Sequence, residues 1–367
     1  MGLIFAYSAV LLSFASGLSA LLMKQRQLLV VLGERYSRAD RVQTELSKHL
    51  EEKHFPAALQ KFVFVLLGLS GIFAVLAGLS ALLDNDVLID QINLGLPWLP
   101  WHVRFDSLSG FFFLIIGIAV SAVSLYGPGY VHAYDESQHP FAVLGLFTGL
   151  FVAGMLMVLL ADDAFVFMIA WELMSVASYF LVVFQHENPA NRRAAFLYLL
   201  MAEVGALAII LAFGVIAGFS DGFTFDAFRK VQLSTTWASI AFGLALLGFG
   251  MKAGLVPIHV WLPEAHPVAP SHISALMSGV MLKVALYGLI RFCFDLLADV
   301  HWQWGVVLLV LGTVSALGGI LYAMMQPNLK RLLAYSSVEN IGIIFMVLGL
   351  AMIFMANGHP QLAALGF

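Results

Sequence analysis

Runs of about 20 mostly apolar residues recur from one end of this sequence to the other, and they constrain its fold more than any other feature. A helix rises 1.5 Å per residue, so a run of roughly 20 residues spans the hydrocarbon core of a bilayer, about 30 Å thick. Of the 367 residues, 61% are hydrophobic and 11% are charged. Soluble domains carry about 25% charged residues. The sequence therefore predicts an all-α polytopic membrane protein.

Hydropathy predicts ten transmembrane helices, too many for a signal peptide to be the explanation. Residues 361–367 resemble the opening of an eleventh span, which predicts a chain that is truncated there or continued by a partner. The predicted spans are residues 3–22, 62–83, 107–126, 140–160, 163–184, 195–218, 238–256, 272–297, 304–325 and 332–355.

The distribution of lysine and arginine between the loops predicts the orientation, because cytoplasmic loops are enriched in both residues. With the N-terminus outside, twelve of these residues lie in cytoplasmic loops and four lie at outer ends. We therefore expect an N-terminus outside a prokaryotic cytoplasmic (inner) membrane. The twelve are Lys24, Arg26, Arg35, Arg38, Arg41, Lys48, Lys53, Lys61, Arg192, Arg193, Lys330 and Arg331, and the four are Arg104, Arg229, Lys230 and Arg291.

Residues 24–61 form the one hydrophilic region of any length. Within it, Val42, Leu46 and Leu50 recur at every fourth position, which gives a narrow apolar stripe on a charged helix. Two interpretations fit this pattern: a solvated linker helix, or a helix on which a peripheral subunit docks.

The stretch of residues 246–291 is apolar enough to lie in a bilayer, yet it contains charges and prolines. Ionisable side chains in a transmembrane segment are costly, and they commonly mark an ion or proton path. Lys252 lies five residues before Pro257, so the proline removes a backbone hydrogen bond near the lysine and predicts a helix break there. A lysine at a broken helix can change its protonation state when a nearby carboxylate moves. We therefore predict a gated proton site at Lys252.

Two further charges lie near the middle of predicted spans, Glu172 in the fifth and Lys283 in the eighth. A lone carboxylate in a bilayer is expected to be protonated or paired across a helix interface. We predict that Glu172, Lys252 and Lys283 pass protons from one to the next. A structural, hydrogen-bonded role for Glu172 and a Lys252 side chain that reaches the membrane interface are the alternatives.

Five other polar residues are candidate relay groups: His259, His266, His272, Glu203 and Glu339. Histidine suits this role because it titrates near neutral pH. A core position for His259 and packing or capping roles for the two glutamates remain alternatives. The histidine spacing matches no recognised zinc pattern, and one cysteine, Cys293, cannot ligate an iron–sulfur cluster alone. Nucleotide-binding and hydrolase motifs are also absent from the sequence, so we expect no catalytic residue, metal or cofactor in this chain.

Three stretches carry a family resemblance: WELMSVASYFLV, KAGLVPIHVWLPEAHPVAPSHISALMSGVMLK and NLKRLLAYSSVENIGI. In them the chain resembles the antiporter-like membrane subunits of respiratory complex I, Mrp-type cation/proton antiporters and group 4 membrane-bound hydrogenases. It looks most similar to the large antiporter-like subunit of formate hydrogenlyase and hydrogenase-4 type complexes. The resemblance implies that Glu172, Lys252 and Lys283 match the fifth-helix glutamate, broken-seventh-helix lysine and eighth-helix lysine of a half-channel.

The resemblance also implies an inverted-repeat architecture of five helices per repeat. The second broken helix, with its lysine or glutamate, is missing from this chain, and Glu203 stands where hydrogenase-type proteins tend to carry histidine. The expected divisions are a first transmembrane helix at 1–23, a hydrophilic cytoplasmic segment at 24–61, the second and third helices with an outer loop at 62–139, a first repeat at 140–297 and the truncated start of a second repeat at 304–367.

The function that the resemblance implies is translocation of protons or sodium ions by a membrane subunit of a redox-driven complex, of the hydrogenase or NADH:quinone oxidoreductase type. Other membrane subunits and a peripheral redox arm are the expected partners. Iron–sulfur, nickel–iron or flavin groups are expected only in those partner subunits. The alternatives are a subunit of an Mrp-type cation/proton antiporter without redox chemistry and a membrane anchor whose buried charges are vestigial.

Overall fold

Ten helices long and apolar enough to cross a membrane dominate the computed structural model, which describes residues 1–36, 43–84, 86–131 and 140–364. The predicted all-α polytopic fold with ten spans is confirmed. The spans are Gly2–Leu22, Ala58–Asp84, Ser107–Val131, Phe141–Leu160, Ala164–Val182, Pro189–Ala217, Thr235–Ala253, Ser271–Leu296, Trp302–Met324 and Leu329–Ala356.

Most spans are single helices, and the eighth is composite because two π-helical turns interrupt it. The helices are α1 (Gly2–Tyr36), α2 (Gln43–Asp84), α3 (Ser107–Val131), α4 (Phe141–Leu160), α5 (Ala164–Val182), α6 (Pro189–Ala217), α7 (Phe225–Arg229), α8 (Thr235–Ala253), α9 (Leu262–Val268), α10 (Ser271–Leu276), α11 (Leu282–Ile290), α12 (Trp302–Met324), α13 (Leu329–Ala356) and α14 (Pro360–Ala364). The π-helical turns are Met277–Met281 and Arg291–Leu296.

Polar residues in the connecting segments fix where several spans begin. Asp163 caps α5 by accepting a hydrogen bond from the Val166 amide, 2.7 Å away. Asn188 caps α6 in the same way, with Pro189 in the first turn, and Asn328 caps α13. Such side chains satisfy the free amides that every helix start presents, which matters most where water is scarce.

An antiparallel β-hairpin between α2 and α3 is the one sheet in the described part of the chain. Its strands are β1 (Leu88–Leu96) and β2 (Leu99–Phe105). Tyr7 of α1 donates a hydrogen bond to the Asp90 carboxylate, 2.8 Å away, and the His102 amide donates to Asp163 at 2.9 Å. The hairpin thus covers one end of the helix assembly, which we call the hairpin end.

Small residues bring several helix pairs into close contact. In the α12–α13 pair, a Cβ atom on Gly342 would lie 2.4 Å from the Ala316 amide nitrogen, so the backbones can approach only because that side chain is absent. Cys293, in the second π-helical turn, is completely buried. The predicted stripe of Val42, Leu46 and Leu50 lies outside the residues whose side chains the structure describes. The division into repeats stays a prediction.

Candidate ion-translocation site

Lys252 lies in the last turn of α8 and is 3% exposed. Its ammonium donates hydrogen bonds to Ser175 Oγ of α5 and to the Tyr198 hydroxyl of α6, each 2.9 Å away. The same Nζ atom lies 5.0 Å from the centre of the Tyr198 ring. Within the described residues, no carboxylate comes within 4.0 Å of it. A buried ammonium is therefore held directly by two neutral hydroxyls.

The end of α8 next to Lys252 is built by a glycine. Gly254 has a φ of +83°, and the Leu255 amide reaches back to the Gly250 carbonyl at 2.9 Å, a Schellman arrangement. Trp261 Nε1 donates to the Met251 carbonyl at 2.8 Å. The predicted break at Pro257 thus falls in an irregular segment, residues 254–261. The helix itself ends at Ala253, four residues before the proline, because Gly254 takes the left-handed conformation.

A short chain of hydroxyls surrounds the ammonium. Ser178 Oγ and the Tyr198 hydroxyl share a hydrogen bond of 2.5 Å, and Ser178 also donates to the Met174 carbonyl. Ser175, Ser178 and Tyr198 are not among the site residues that the sequence predicts. Ser175 and Ser178 could have been found, because they follow Glu172 at intervals of three on one face of an apolar helix. Tyr198 had no such signal, since its contact with Lys252 joins two helices.

Glu172 and Glu203 are half-buried on the neighbouring helices α5 and α6. The Glu172 carboxyl interacts electrostatically with both Glu203 and Lys252. In the described part of the chain it makes no hydrogen bond or close ion pair. Glu172 therefore acts on Lys252 through space rather than by contact, and Glu203 interacts in the same way with Glu172.

Lys283 follows the first π-helical turn and lies halfway along the eighth span. Its Nζ donates to the Ser278 carbonyl at 2.7 Å, inside that turn. His266 of α9 is 2% exposed, with Nδ1 3.2 Å from Ser274 Oγ, and it interacts electrostatically with Lys283 and Lys330. Its Nε2 has no described partner. Lys283 and His266 therefore form a second polar centre.

The other predicted relay residues differ in placement. His272 is 1% exposed between the rings of Tyr130 and Phe64, and neither of its ring nitrogens has a described partner. His259 is half-buried near the Tyr335 ring, with Nδ1 likewise lacking a described partner. Glu339 lies along α13 and makes no hydrogen bond or ion pair within the described ranges, so the structure does not join it to the other candidates.

The start of α13 is tied to the segment between α8 and α10, residues 254–270, which we call the broken segment. Lys330 Nζ donates to the Ala269 carbonyl at 2.9 Å and to that of Pro267 at 3.4 Å. Arg331 forms an ion pair with Glu264 of α9. Both cations were predicted to be orientation-setting loop charges, and the structure adds these contacts with the segment that follows Lys252.

A network of charges lies at the hairpin end. Arg291 is 5% exposed and binds Asp106 through both guanidinium arms, at 2.7 and 2.8 Å. It also reaches Asp295 at 3.1 Å. Arg229 binds Asp295 through two bonds, of 2.9 and 2.8 Å, and Asp162 through one of 3.0 Å. We call these five residues the hairpin-end charge network.

The charges in this network shift the pKa values of the aspartates that lie outside the spans. Burial alone would raise the pKa of Asp106, but the hydrogen bonds and charge of Arg291 lower it below the ordinary value. For Asp162, burial outweighs Arg229, so its pKa is raised. Asp106 is therefore firmly ionised at neutral pH.

No group of three or more histidine, cysteine, aspartate or glutamate side chains in the described residues could hold a metal ion. What the fold and site define is a multi-pass membrane protein with ionisable groups buried between its helices. The family model described as "NADH:quinone oxidoreductase/Mrp antiporter, TM" matches residues 161–362, and the chain belongs to that family. The resemblance inferred from the sequence motifs is thereby confirmed.

Curated relatives agree with this assignment. The chain is 39% identical over 318 residues to "Hydrogenase-4 component B" of Escherichia coli (strain K12), which covers 82% of this chain and 47% of that protein. It is 33% identical over 261 residues to "NAD(P)H-quinone oxidoreductase chain 4 2" of Thermosynechococcus vestitus, covering 69% of this chain and 47% of that one. The chain thus spans about half the length of these relatives.

Two solved structures share the fold. One is an archaeal membrane-bound sulfane sulfur reductase, with a TM-score of 0.72 and 24% identity over 98% of this chain and 54% of that chain. The other is the Mrp complex of a Dietzia species, with a TM-score of 0.75 and 20% identity over 98% of this chain and 37% of that chain. The helix arrangement is therefore that of antiporter-like subunits.

Proposed function

We propose that the chain is a membrane subunit that translocates protons or sodium ions in a redox-driven complex of the hydrogenase or NADH:quinone oxidoreductase type. The observation that carries this proposal is Lys252, a buried ammonium at a helix end that, among the residues the structure describes, only neutral hydroxyls hold directly. A carboxylate in contact would lock the proton on the lysine. Without one, the charge of Lys252 can respond to the charge of Glu172.

Three residues form the working path in this proposal. An ionised Glu172 stabilises the charged Lys252, and neutralising Glu172 removes that stabilisation, so Lys252 releases its proton. Trp261 packs between Tyr198 and His266, with ring centres 5.0 and 6.3 Å from theirs, and so links the Lys252 site to the second centre. Lys283, which interacts with His266, is the next proton acceptor. His259, His272 and Glu203 are relay candidates beside this path.

The location and partners belong to the same proposal. The basic residues of the loops support an N-terminus outside a prokaryotic inner membrane. The relatives named for hydrogenase-4 and for NAD(P)H-quinone oxidoreductase support assembly with further membrane subunits and a peripheral redox arm. In this proposal, iron–sulfur, nickel–iron or flavin groups reside in those partners, and this chain supplies the ion path.

Two substitutions of Lys252 test the path. In vesicles reconstituted with the chain and its copurifying subunits, we expect Lys252→Ala and Lys252→Arg each to reduce driven proton flux at least tenfold. Arginine keeps the positive charge but does not give up its proton in proteins, so its failure separates proton exchange from a mere need for charge.

Lys230→Ala is the matched control, because Lys230 is exposed and forms its ion pair with Asp226 of the same short helix end. Its flux should equal that of the unmodified protein. Full flux in Lys252→Ala would rule out the path and leave an anchoring role.

A subunit of an Mrp-type cation/proton antiporter is the second candidate, favoured by the family model, whose description names both classes. Gentle purification of the chain from its native membrane separates the two. Copurification of a subunit carrying iron–sulfur or flavin absorption supports the redox-driven complex, whereas cation-dependent proton exchange by a complex without such groups supports the antiporter.

A further inference from the structure

Lys283, Tyr287 and Arg291 succeed one another at intervals of four residues and so share one face of the eighth span. This face leads from the proposed path toward the hairpin end. Tyr287 is 1% exposed, and its hydroxyl donates to the Leu159 carbonyl at 3.0 Å and contacts Ser109 Oγ at 3.1 Å. An ion moving along this face from Lys283 to that membrane surface would pass Tyr287 and then Arg291.

Arg291 has little hydrogen-bonding capacity to spare. Beyond its bonds with Asp106 and Asp295, its guanidinium contacts Ser109 Oγ at 3.2 Å and the Tyr287 hydroxyl at 3.2 and 3.3 Å. A guanidinium does not lose its proton in proteins, so Arg291 cannot take up and release a proton in turn. Its charge is a permanent feature of this end of the route.

On the side of Lys283 away from the hairpin end, the buried polar groups are histidines rather than an arginine. Toward the broken segment lie His266 and His272, both buried, with three ring nitrogens that have no described partner. An imidazole can take up and release a proton, which a guanidinium does not do in proteins. Groups that can exchange protons therefore lie on one side of Lys283, and a fixed, fully bonded cation lies on the other.

We propose that Arg291, held by Asp106 and Tyr287, is an electrostatic barrier that closes the route between Lys283 and the hairpin end to protons and small cations. A fixed positive charge at a constriction repels cations, and a guanidinium with its donors already bonded gives water no anchoring point. The inference rests on the proposed ion path, because a barrier has meaning only where ions reach Lys283.

The test is passive proton leak, which needs no turnover. Liposomes containing the full chain and its copurifying subunits, loaded with a pH-sensitive dye, receive a potassium diffusion potential through valinomycin. The key variant is the double substitution Arg291→Gln and Asp106→Asn, which removes one charge of each sign and leaves no new net charge. We expect its leak to exceed that of the unmodified protein at least tenfold.

Two matched variants distinguish the loss of a barrier from a general loosening of the helix packing. Arg291→Lys keeps the charge, so its leak should stay within about twofold of the unmodified protein. Arg229→Gln removes an arginine that belongs to the same network but lies off the Lys283 face, and it should not leak either. Equal leak in Arg229→Gln and the double variant would show loosening alone and overturn the proposal, as would a double variant without leak.

A last variant locates the leak. Adding Lys283→Ala to the double variant should lower the leak at least fivefold, because the opened route runs past Lys283. An unchanged leak would overturn the assignment of this route. Since none of these measurements uses driven transport, a failed barrier is distinguishable from a failed transport function, which the Lys252 variants test.

Discussion

At the scale of single residues, the partners of Lys252 decide what the lysine can do. Burying an ammonium is costly, and a contact carboxylate is the usual compensation. Here two hydroxyls from different helices provide the direct contacts, while Glu172 acts from a greater distance. The hydroxyls stabilise the charged form without fixing it, which suits a group that must lose its proton.

Removing the two hydroxyls should impair the site in steps. We expect Tyr198→Phe or Ser175→Ala alone to lower driven proton flux severalfold, and the two together to lower it more than tenfold. A hydrogen bond to a charged group contributes about 1.5–3 kcal/mol, so the double variant leaves a buried ammonium poorly compensated. Flux in reconstituted vesicles is the measurement, with folding monitored by thermal unfolding.

Tyr179→Phe is the control for this pair, because Tyr179 lies on the same helix as Ser175 and packs its ring against Phe180. It should transport normally. Normal transport in the double variant as well would mean that the hydroxyls only fill space around Lys252.

At the scale of elements, hydropathy located every span. The observed ends of the spans differ from the predicted ends where local backbone geometry decides them. The predicted span 238–256 became Thr235–Ala253 because Gly254, rather than Pro257, ends the helix. The hairpin was not predicted, and its first strand, β1, is mostly exposed. The π-helical turns were also missed, since α- and π-helical turns share the same composition.

The residues of the candidate site were likewise only partly predictable from the sequence. Buried charges are visible in a sequence because they interrupt apolar runs, so Glu172, Lys252 and Lys283 could be selected by inspection. Their partners Ser175 and Tyr198, and the network around Arg291, depend on which helix faces meet. Residues far apart in the chain make these contacts, and one sequence carries no record of them.

The end of α8 offers a direct test of the role of its glycine. We expect Gly254→Ala to destabilise the protein by about 1–2 kcal/mol or more, because an L-residue is strained at a φ of +83°. The new Cβ would also lie 2.5 Å from Leu262 Cδ1. Denaturant or thermal unfolding in detergent, followed by loss of driven flux, is the measurement.

Gly243→Ala in the same helix is the matched control, since no atom lies within 4 Å of its Cβ position. It should be neutral or stabilising by up to about 1 kcal/mol, because alanine favours the helix. If Gly254→Ala were as stable as Gly243→Ala, the left-handed conformation of Gly254 would not be the cause of the helix end.

At the scale of the whole molecule, the hairpin-end charge network connects parts of the chain that are far apart in sequence. Asp106 lies between β2 and α3, Asp162 between α4 and α5, and Arg229 in α7, while Arg291 and Asp295 lie in the second π-helical turn. The opposite end has a smaller counterpart, the ties from Lys330 and Arg331 to the broken segment. Both ends of the helix assembly are thus fastened by charge.

The network should make a large, pH-independent contribution to stability near neutrality. We expect Asp106→Asn to lower the free energy of unfolding by about 3–5 kcal/mol, because it leaves a buried guanidinium without its main partner. The lowered pKa of Asp106 means that its contribution is present above the unfolded value of 3.8 and is lost as pH falls toward the folded value. The loss of unfolding free energy caused by Asp106→Asn should therefore be equal at pH 5 and pH 8.

Thermal unfolding in detergent at these two pH values checks this prediction, with the exposed Asp226→Asn as the control. A difference that shrank by half between pH 8 and pH 5 would contradict the assignment of a lowered pKa to Asp106.

The burial of Cys293 has a practical consequence for spectroscopy. It is the one cysteine in the sequence, and it is 0% exposed within the second π-helical turn. Thiol reagents react with accessible thiolates, so this chain should already behave as a cysteine-free background. A cysteine introduced at an exposed position would then carry a spin label or fluorophore alone, and movements of the hairpin or of α13 during turnover could be followed without altering the native sequence elsewhere.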